Sequence, residues 1–237
     1  MKKCFISCIY VGSHFKHYDM PQKFPKIPGF DYILFTNLNK NNFNTSWSII
    51  PINITEYSKS ITKSRYPKFQ TWKLLKDKFN VEYDIIIYCD AYLSPINKPK
   101  IWDKVITQTI ESPNGIVQSP HPWNKCPFKE CDDIVKLTKD NLHNINKTKQ
   151  LFIEKGLSKN SGLWENITFC YYTKNDNVKK LFNTLWELYS SEKYTHRDQP
   201  LYALAVHLSN ITPQKCQYYM RGLLAWSGKR GNHSGYG

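Results

Sequence analysis

An α/β domain, built on a mixed but mostly parallel sheet flanked by helices, is the fold class this sequence predicts. Three observations carry it. The run Ile85-Ile86-Ile87-Tyr88-Cys89 is largely apolar and ends in Asp90, as a strand covered on both faces would. A second run, Tyr32-Ile33-Leu34-Phe35, also ends in polar residues, Thr36 and Asn37. Between such runs lie stretches of helical spacing, so strand and helix alternate through the early part of the chain. With 237 residues a single domain with a substantial core is the simplest count.

Residues 4–11 read as the first strand, 31–37 as the second and 47–52 as a short third. Over 64–79, Phe69, Trp72, Leu75 and Phe79 fall on one side at helical spacing, which predicts one helix. The strand ending at Asp90 follows, then a helix over 101–110 and a short strand over 115–118. That strand enters the loop Ser119-Pro120-His121-Pro122-Trp123. Helices are predicted over 129–139 and 148–155, the second stopped by Gly156 as a C-terminal cap. Residues 166–172 read as strand. The segment 178–189 is amphipathic, with Leu181, Leu185 and Leu188 at helical intervals, and 198–208 is the last helix. Residues 228–237, rich in glycine and polar groups, read as a flexible tail or a flap over a site.

Aromatic residues make up 15% of the chain, which argues against disorder. The net charge of +14 suits an anionic partner: nucleic acid, an anionic membrane or a phosphorylated small molecule. The lysines are scattered, with no run longer than Lys2-Lys3 and Lys179-Lys180, so a nucleic-acid stripe is not predicted. Cysteines number seven, and Cys4, Cys8, Cys89 and Cys170 lie inside apolar runs. They read as small buried hydrophobes in a reducing, cytoplasmic setting. Lys2-Lys3 ahead of an apolar stretch mimics a short signal peptide, but no clean cleavage site follows, and a first strand is the better reading. No segment approaches the roughly 20 apolar residues of a membrane span.

Four places hold side chains able to do chemistry. Asp90, at a strand end, is placed either to meet a ligand or a divalent ion, or to cap the next segment. Arg65 and Lys68 are three apart, so at a helix start they would share a face suited to a diphosphate. Thr195-His196-Arg197-Asp198-Gln199 precedes the last helix. There Asp198 is a candidate general base or sugar-holding acid, with Arg197 orienting it. His121 and Trp123 in a proline-bounded loop, and Glu165 beside Trp164, suit stacking on and hydrogen bonding to a sugar ring. The set His121, Cys126, Cys131 and His143 matches no common zinc spacing. Nor is a GxGxxG, Walker, HExxH or nucleophile-elbow motif present, which disfavours hydride transfer, P-loop ATP hydrolysis and serine hydrolysis.

Several pieces, in order, resemble the glycosyltransferase-like domain family of plant mucilage and pectin proteins, which has microbial and viral relatives. They are Arg65-Tyr66-Pro67-Lys68, the run from Tyr83-Asp84 to Asp90, and His121 with Cys126 and Glu130. Gln150 through Gly156-Leu157, Leu185-Trp186 and Arg197-Asp198-Gln199 complete the set. The resemblance implies a single GT-A-like, Rossmann-like domain, with a nucleotide-binding half over 1–118 and an acceptor half over 119–227. It implies transfer of a sugar from a nucleotide-sugar, a UDP-sugar foremost, to a hydroxyl of a glycan or glycoconjugate, with no role for nucleic acid. Thr36, Asn37, Arg65, Lys68 and Asp90 would then bind the donor, His121, Trp123 and Glu165 the acceptor. Asp198 and Arg197 would serve catalysis, and Asp90 and His233 would hold Mn²⁺ or Mg²⁺. One position departs from the pattern. The second acid of the metal motif Asp-x-Asp is Tyr92, a poor ligand for such ions while protonated, with an ordinary pKa of about 10. The alternatives are a non-catalytic glycan- or nucleotide-binding module of the same fold and, third, a nucleic-acid binder.

Overall fold

The apolar runs become the middle of a seven-stranded sheet in the structure, a computed structural model that describes residues 1–12 and 18–231. The strands are β1 (Lys3–Ile9), β2 (Met20–Pro21), β3 (Asp31–Thr36), β4 (Ser48–Pro51), β5 (Ile85–Cys89) and β6 (Leu93–Pro95). They continue with β7 (Ile116–Pro120), β8 (Trp164–Tyr172), β9 (Gln214–Lys215), β10 (Leu224–Trp226) and β11 (Gly228–Lys229). The helices are α1 (Ser60–Phe69), α2 (Thr71–Phe79), α3 (Pro99–Glu111), α4 (Pro127–Lys136), α5 (Leu142–Glu154), α6 (Asp176–Ser190) and α7 (Asp198–Ser209).

The main sheet has the order β4-β3-β1-β5-β8-β7-β9. Within it β8 runs against its neighbours, and the other strands are parallel. The chain therefore forms a single Rossmann-like α/β domain. From β1 it steps outward through β3 and β4, then returns to place β5 on the other side of β1. Such a reversal opens a crevice beyond the carboxyl ends of the two central strands. Here those ends are Ile9 and Cys89, with Asp90 next.

Alternation along β5 explains which groups meet. Ile86 and Tyr88 face a core shared with Phe69, Leu75, Phe182, Leu185 and Tyr202, from α1, α2, α6 and α7. Ile85, Ile87 and Cys89 face the opposite core, with Trp102, Val105 and Ile106 of α3 and Phe24, Trp47 and Met220 from the flanking segments. Each fully buried large side chain contributes on the order of 1.5–3 kcal/mol. Asp90, two residues after Tyr88, continues the face that looks toward α1 and α7. A third cluster, Cys131, Ile134, Ile145 and Phe152 with Leu204, closes α4 and α5 onto the outside of α7. That is why α7 is apolar on all sides.

The helix predicted over 64–79 is two helices. It begins earlier, at Ser60, and breaks at Gln70, whose backbone leaves helical geometry (φ −115, ψ 24). Pro67 cannot donate a backbone hydrogen bond, which weakens the last turn of α1. Gln70 is then held by donating its side-chain amide to Phe182 O at 3.0 Å. The break buries Phe69 and leaves Phe79 partly exposed, so the predicted single face does not persist. Gly156 caps α5 with positive φ (69°), as expected. The segment expected as a tail begins as strand: β11 pairs antiparallel with β2, and β10 with β6. Among the described residues no helix is long and apolar enough to cross a membrane.

Candidate active site

Three elements distant in sequence bring their ionisable side chains together at the crevice. Lys68 Nζ, from α1, lies 2.8 Å from Asp198 Oδ2 at the start of α7 and 4.0 Å from Asp90 Oδ1 after β5. Arg65 Nε lies 3.4 Å from Asp198 Oδ2. Tyr88 donates its hydroxyl to Asp90 Oδ1 at 3.0 Å, and Lys68 sits 4.7 Å above the Tyr88 ring. The side chains of Lys68 and Asp198 are 4% and 7% exposed, against 30% for Asp90. Asp90 is thus the acid that reaches the open space.

Their charges divide the work. Burial pushes the Asp198 carboxyl up, but Lys68 and Arg65 more than reverse this and hold it well below the usual carboxylate range. The N-terminal end of α7 favours a negative charge there as well. Burial opposes the Arg65 charge too, and Asp198, Tyr189, Tyr88 and Asp90 together outweigh it. Lys68 is shifted down by burial, with Asp198 and Asp90 resisting. Asp90 is shifted up by burial, partly countered by Lys68 and reinforced by Asp19. Asp198 is therefore the counter-ion of buried Lys68 and half-buried Arg65, while Asp90 faces the open cleft.

The segment before α7 is clamped in turn. Asp140, whose side chain is wholly buried, accepts from the Thr195 hydroxyl at 2.7 Å and from the His196 backbone N–H at 2.9 Å. His196 Nδ1 is 3.1 Å from the same carboxylate. Arg197 and Asp198 thus leave a fixed loop.

Above this cluster lies an open cleft. Its lining includes Tyr10, Asp19, Arg65, Asp90, Arg197 and Arg230. Cys8 also lines it, but burial pushes its thiol up to about 12, so it is no nucleophile at neutral pH. Arg230 arrives from the C-terminal segment, which is tied to the Asp19 side of the cleft: Gly231 N donates to Asp19 Oδ1 at 2.8 Å. Glycine is required in this segment. A Cβ on Gly228 would stand 2.4 Å from Met20 O, and one on Gly231 would stand 2.6 Å from the Tyr18 carbonyl carbon.

Arg65, Lys68, Asp90, Arg197 and Asp198 are thus brought together. Arg65 and Lys68 do so from the second half of α1 rather than from a helix start, so the expected N-terminal dipole plays no part at that pair. Thr36 and Asn37 do not line the cleft. Thr36 is buried and its hydroxyl accepts from Leu38 N at 3.1 Å, while Asn37 holds Val11 through bonds of 2.9 and 2.8 Å. Asn37 acts through Val11, which does line the cleft. His121, Trp123 and Glu165 stand outside it, on the side of β7 and β8. His121 Nδ1 accepts from Asn124 N at 3.0 Å, and burial keeps its pKa below the ordinary value. Trp123 is 76% exposed, which removes a core role for it. His233 lies outside the described residues.

Of the expected metal ligands, Asp90 lines the cleft. Tyr92, at the position of the second acid, is buried, with its ring 4.8 Å from that of Trp226 and the Arg230 guanidinium 5.2 Å above it. Asp90 and Asp19 are the two carboxylates that line the cleft, and Arg65, Arg197 and Arg230 line it with them. Among the described residues no cluster of three His, Cys, Asp or Glu side chains could hold a metal ion.

Asp19, Tyr88 and Arg230 were not predicted. Tyr88 was signalled by its spacing, two residues before Asp90 on the same strand face. Asp19 and Arg230 carried no signal, since their places depend on the pairing of β2 with β11. No protein-family model matches the chain, and no curated protein matches it.

Proposed function

We propose that the protein is a glycosyltransferase that moves a sugar from a nucleotide-sugar, with a UDP-sugar favoured, to a hydroxyl of a glycan or glycoconjugate. The carrying observation is the crevice between β1 and β5, where Arg65, Arg197 and Arg230 line a cleft together with Asp19 and Asp90. Open α/β sheets bind ligands at this place. Three guanidinium groups suit a diphosphate, which each can grip with paired N–H donors. When the sugar departs, the diphosphate gains charge, and groups already fixed toward it stabilise the transition state without reorganising. Asp90, beside the cleft and free of a tight ion pair, is placed for the hydroxyls of the donor sugar. Asp198 holds Lys68 and Arg65 in position rather than touching the reacting carbon.

Melting temperatures measured with UDP, GDP and CMP, each with and without Mn²⁺, test this reading. A nucleotide at 100 times its Kd adds about 2.7 kcal/mol of stability, and Arg197→Ala removes most of that gain. No shift with any of the three overturns the reading. A second reading, a binding module without turnover, is favoured by the replacement of the motif's second acid by Tyr92. Consumption of a nucleotide-sugar in the presence of an acceptor excludes it.

A further inference from the structure

We propose that a second ligand site lies at the far end of the sheet, and that it takes a small aromatic acid, a flat apolar body carrying one anionic group. The inference does not depend on the transferase reading. The cleft stands beyond the carboxyl end of β5, whereas this second pocket stands ahead of its amino end, at Tyr83 and Asp84. Because β8 runs against β5, with Tyr172 beside Ile85, the turn after β8 reaches the same end: Thr173 N donates to Asp84 O at 2.9 Å. The length of β5, ~17 Å at the usual rise per strand residue, separates the two sites.

The pocket encloses about 280 Å³, which limits its ligand to a small molecule. Its apolar wall comes from α2 and from the residue before Asp84. Trp72 and Leu75, three apart, share one face of α2, and Tyr83 lines the pocket with them. Leu75 and Tyr83 are buried, while Trp72 is half-buried and offers the accessible ring. Covering that ring with a second flat apolar surface is favourable. The neutral polar groups of the wall are occupied within the protein. Tyr83 donates its hydroxyl to Asp31 Oδ2 at 2.7 Å, and Thr173 donates its own to Tyr83 O at 2.5 Å.

Charge decides the sign of the ligand. Three ammonium groups, Lys76, Lys174 and Lys179, line the pocket against two carboxylates, Glu82 and Asp84. Both carboxylates are engaged. Lys76 Nζ lies 3.1 Å from Glu82 Oε1 and Lys174 Nζ 2.7 Å from Asp84 Oδ1, while Asp84 Oδ2 accepts from Lys2 N at 2.8 Å. Lys179 is the cation in excess. Its partner, Asp176 at 3.0 Å, is not part of the wall and is 91% exposed, and a pair so open to water holds weakly. Lys179 Nζ also lies 5.8 Å from the centre of the Trp72 ring. A cation beside a flat apolar surface complements an aromatic carboxylate, whose ring covers Trp72 while its anion meets Lys179. A neutral body of the same shape gains the first contact only.

The test titrates the full chain by calorimetry with 2-naphthoate and, as its neutral counterpart, 2-naphthylmethanol. We expect 2-naphthoate to bind at one site, about tenfold more tightly than the alcohol, and more weakly as salt is raised. Lys179→Met should weaken 2-naphthoate by about the same factor, and Lys179→Arg should retain it. Arg197→Ala, which removes a cation from the cleft, should leave the 2-naphthoate Kd unchanged. Failure of the unaltered protein to bind 2-naphthoate, or equal binding of the alcohol, overturns the inference even if a variant fails to fold. So does a folded Lys179→Met protein that binds as before, or loss of binding in Arg197→Ala, which would put the probe in the cleft. Vesicles of phosphatidylserine and phosphatidylcholine identify the rival ligand. Binding to them that Lys179→Met abolishes, with no binding of free 2-naphthoate, would make this face a lipid contact and overturn the small-acid site.

Discussion

Lys68 and Asp198 are the residues on which the site turns, because neither charge is tolerable alone. Breaking a buried pair strands the other charge, at a cost of about 3–5 kcal/mol. Lys68→Met is therefore expected to lower urea-unfolding stability by that order. Lys68→Met with Asp198→Leu should lose less than the sum of the single changes, since the Lys68 charge is no longer stranded and Arg65 alone loses its partner. Asp198 also sets a pH dependence. Its folded pKa is depressed by Lys68 and Arg65, so its contribution is present above the unfolded value of about 3.9 and is lost as pH falls below that. Asp140, held low despite burial by bonds from His196 and Thr195, adds to the same acid limb. Stability measured from pH 6 to pH 2 should fall most steeply below pH ~4, and Asp198→Asn should flatten the slope. Glu165 has the opposite sign. Its folded pKa is raised, so its contribution is present at low pH and lost as pH rises through that value. Glu165→Gln should thus keep its melting temperature at pH 7.

Elements explain why some of this was legible and some was not. The strand ending at Asp90 was readable because five buried residues in a row fit little else of that length. The last helix was readable from its polar start and apolar run. The break at Gln70 was not, since it depends on the carbonyl of Phe182, more than 100 positions away. The pairing of β11 with β2 was hidden for the same reason: two residues on each side carry no periodicity. That pairing has a consequence for ligand binding. Gly231→Ala would press a methyl group against the backbone at Tyr18 and lift Arg230 away from Tyr92. Nucleotide affinity should fall about tenfold, or ~1.4 kcal/mol. Global stability should change far less, because the strap buries little. Isothermal titration and thermal melting on the same variant separate the two effects.

At the scale of the whole molecule, the sheet order decides where charge is needed. The net charge of +14 is spread over the surface, yet three guanidinium groups converge on the one crevice that the reversal between β1 and β5 creates. On the proposed transferase reading, with Tyr92 packed on Trp226 and beneath Arg230, the diphosphate charge would be met by arginines. Turnover is accordingly expected to persist in excess EDTA, and to fall by about 10²–10³-fold in Arg197→Ala, as when one fixed donor is removed from an oxyanion site. A rate abolished by EDTA and restored by Mn²⁺ would show that the cations alone do not suffice.

By itself, the sequence determined the α/β class, the central strands and the candidates Arg65, Lys68, Asp90, Arg197, Asp198 and Glu165. Periodicity and strand-end position are local properties, readable within a dozen residues. Only the tertiary structure decided which charges surround each acid. Asp198 is neutralised by cations from α1, Asp90 opens to the cleft, and Glu165 is buried beside Arg221. Proton affinity depends on burial and on charges a few ångströms away, and those neighbours come from segments that the chain keeps far apart.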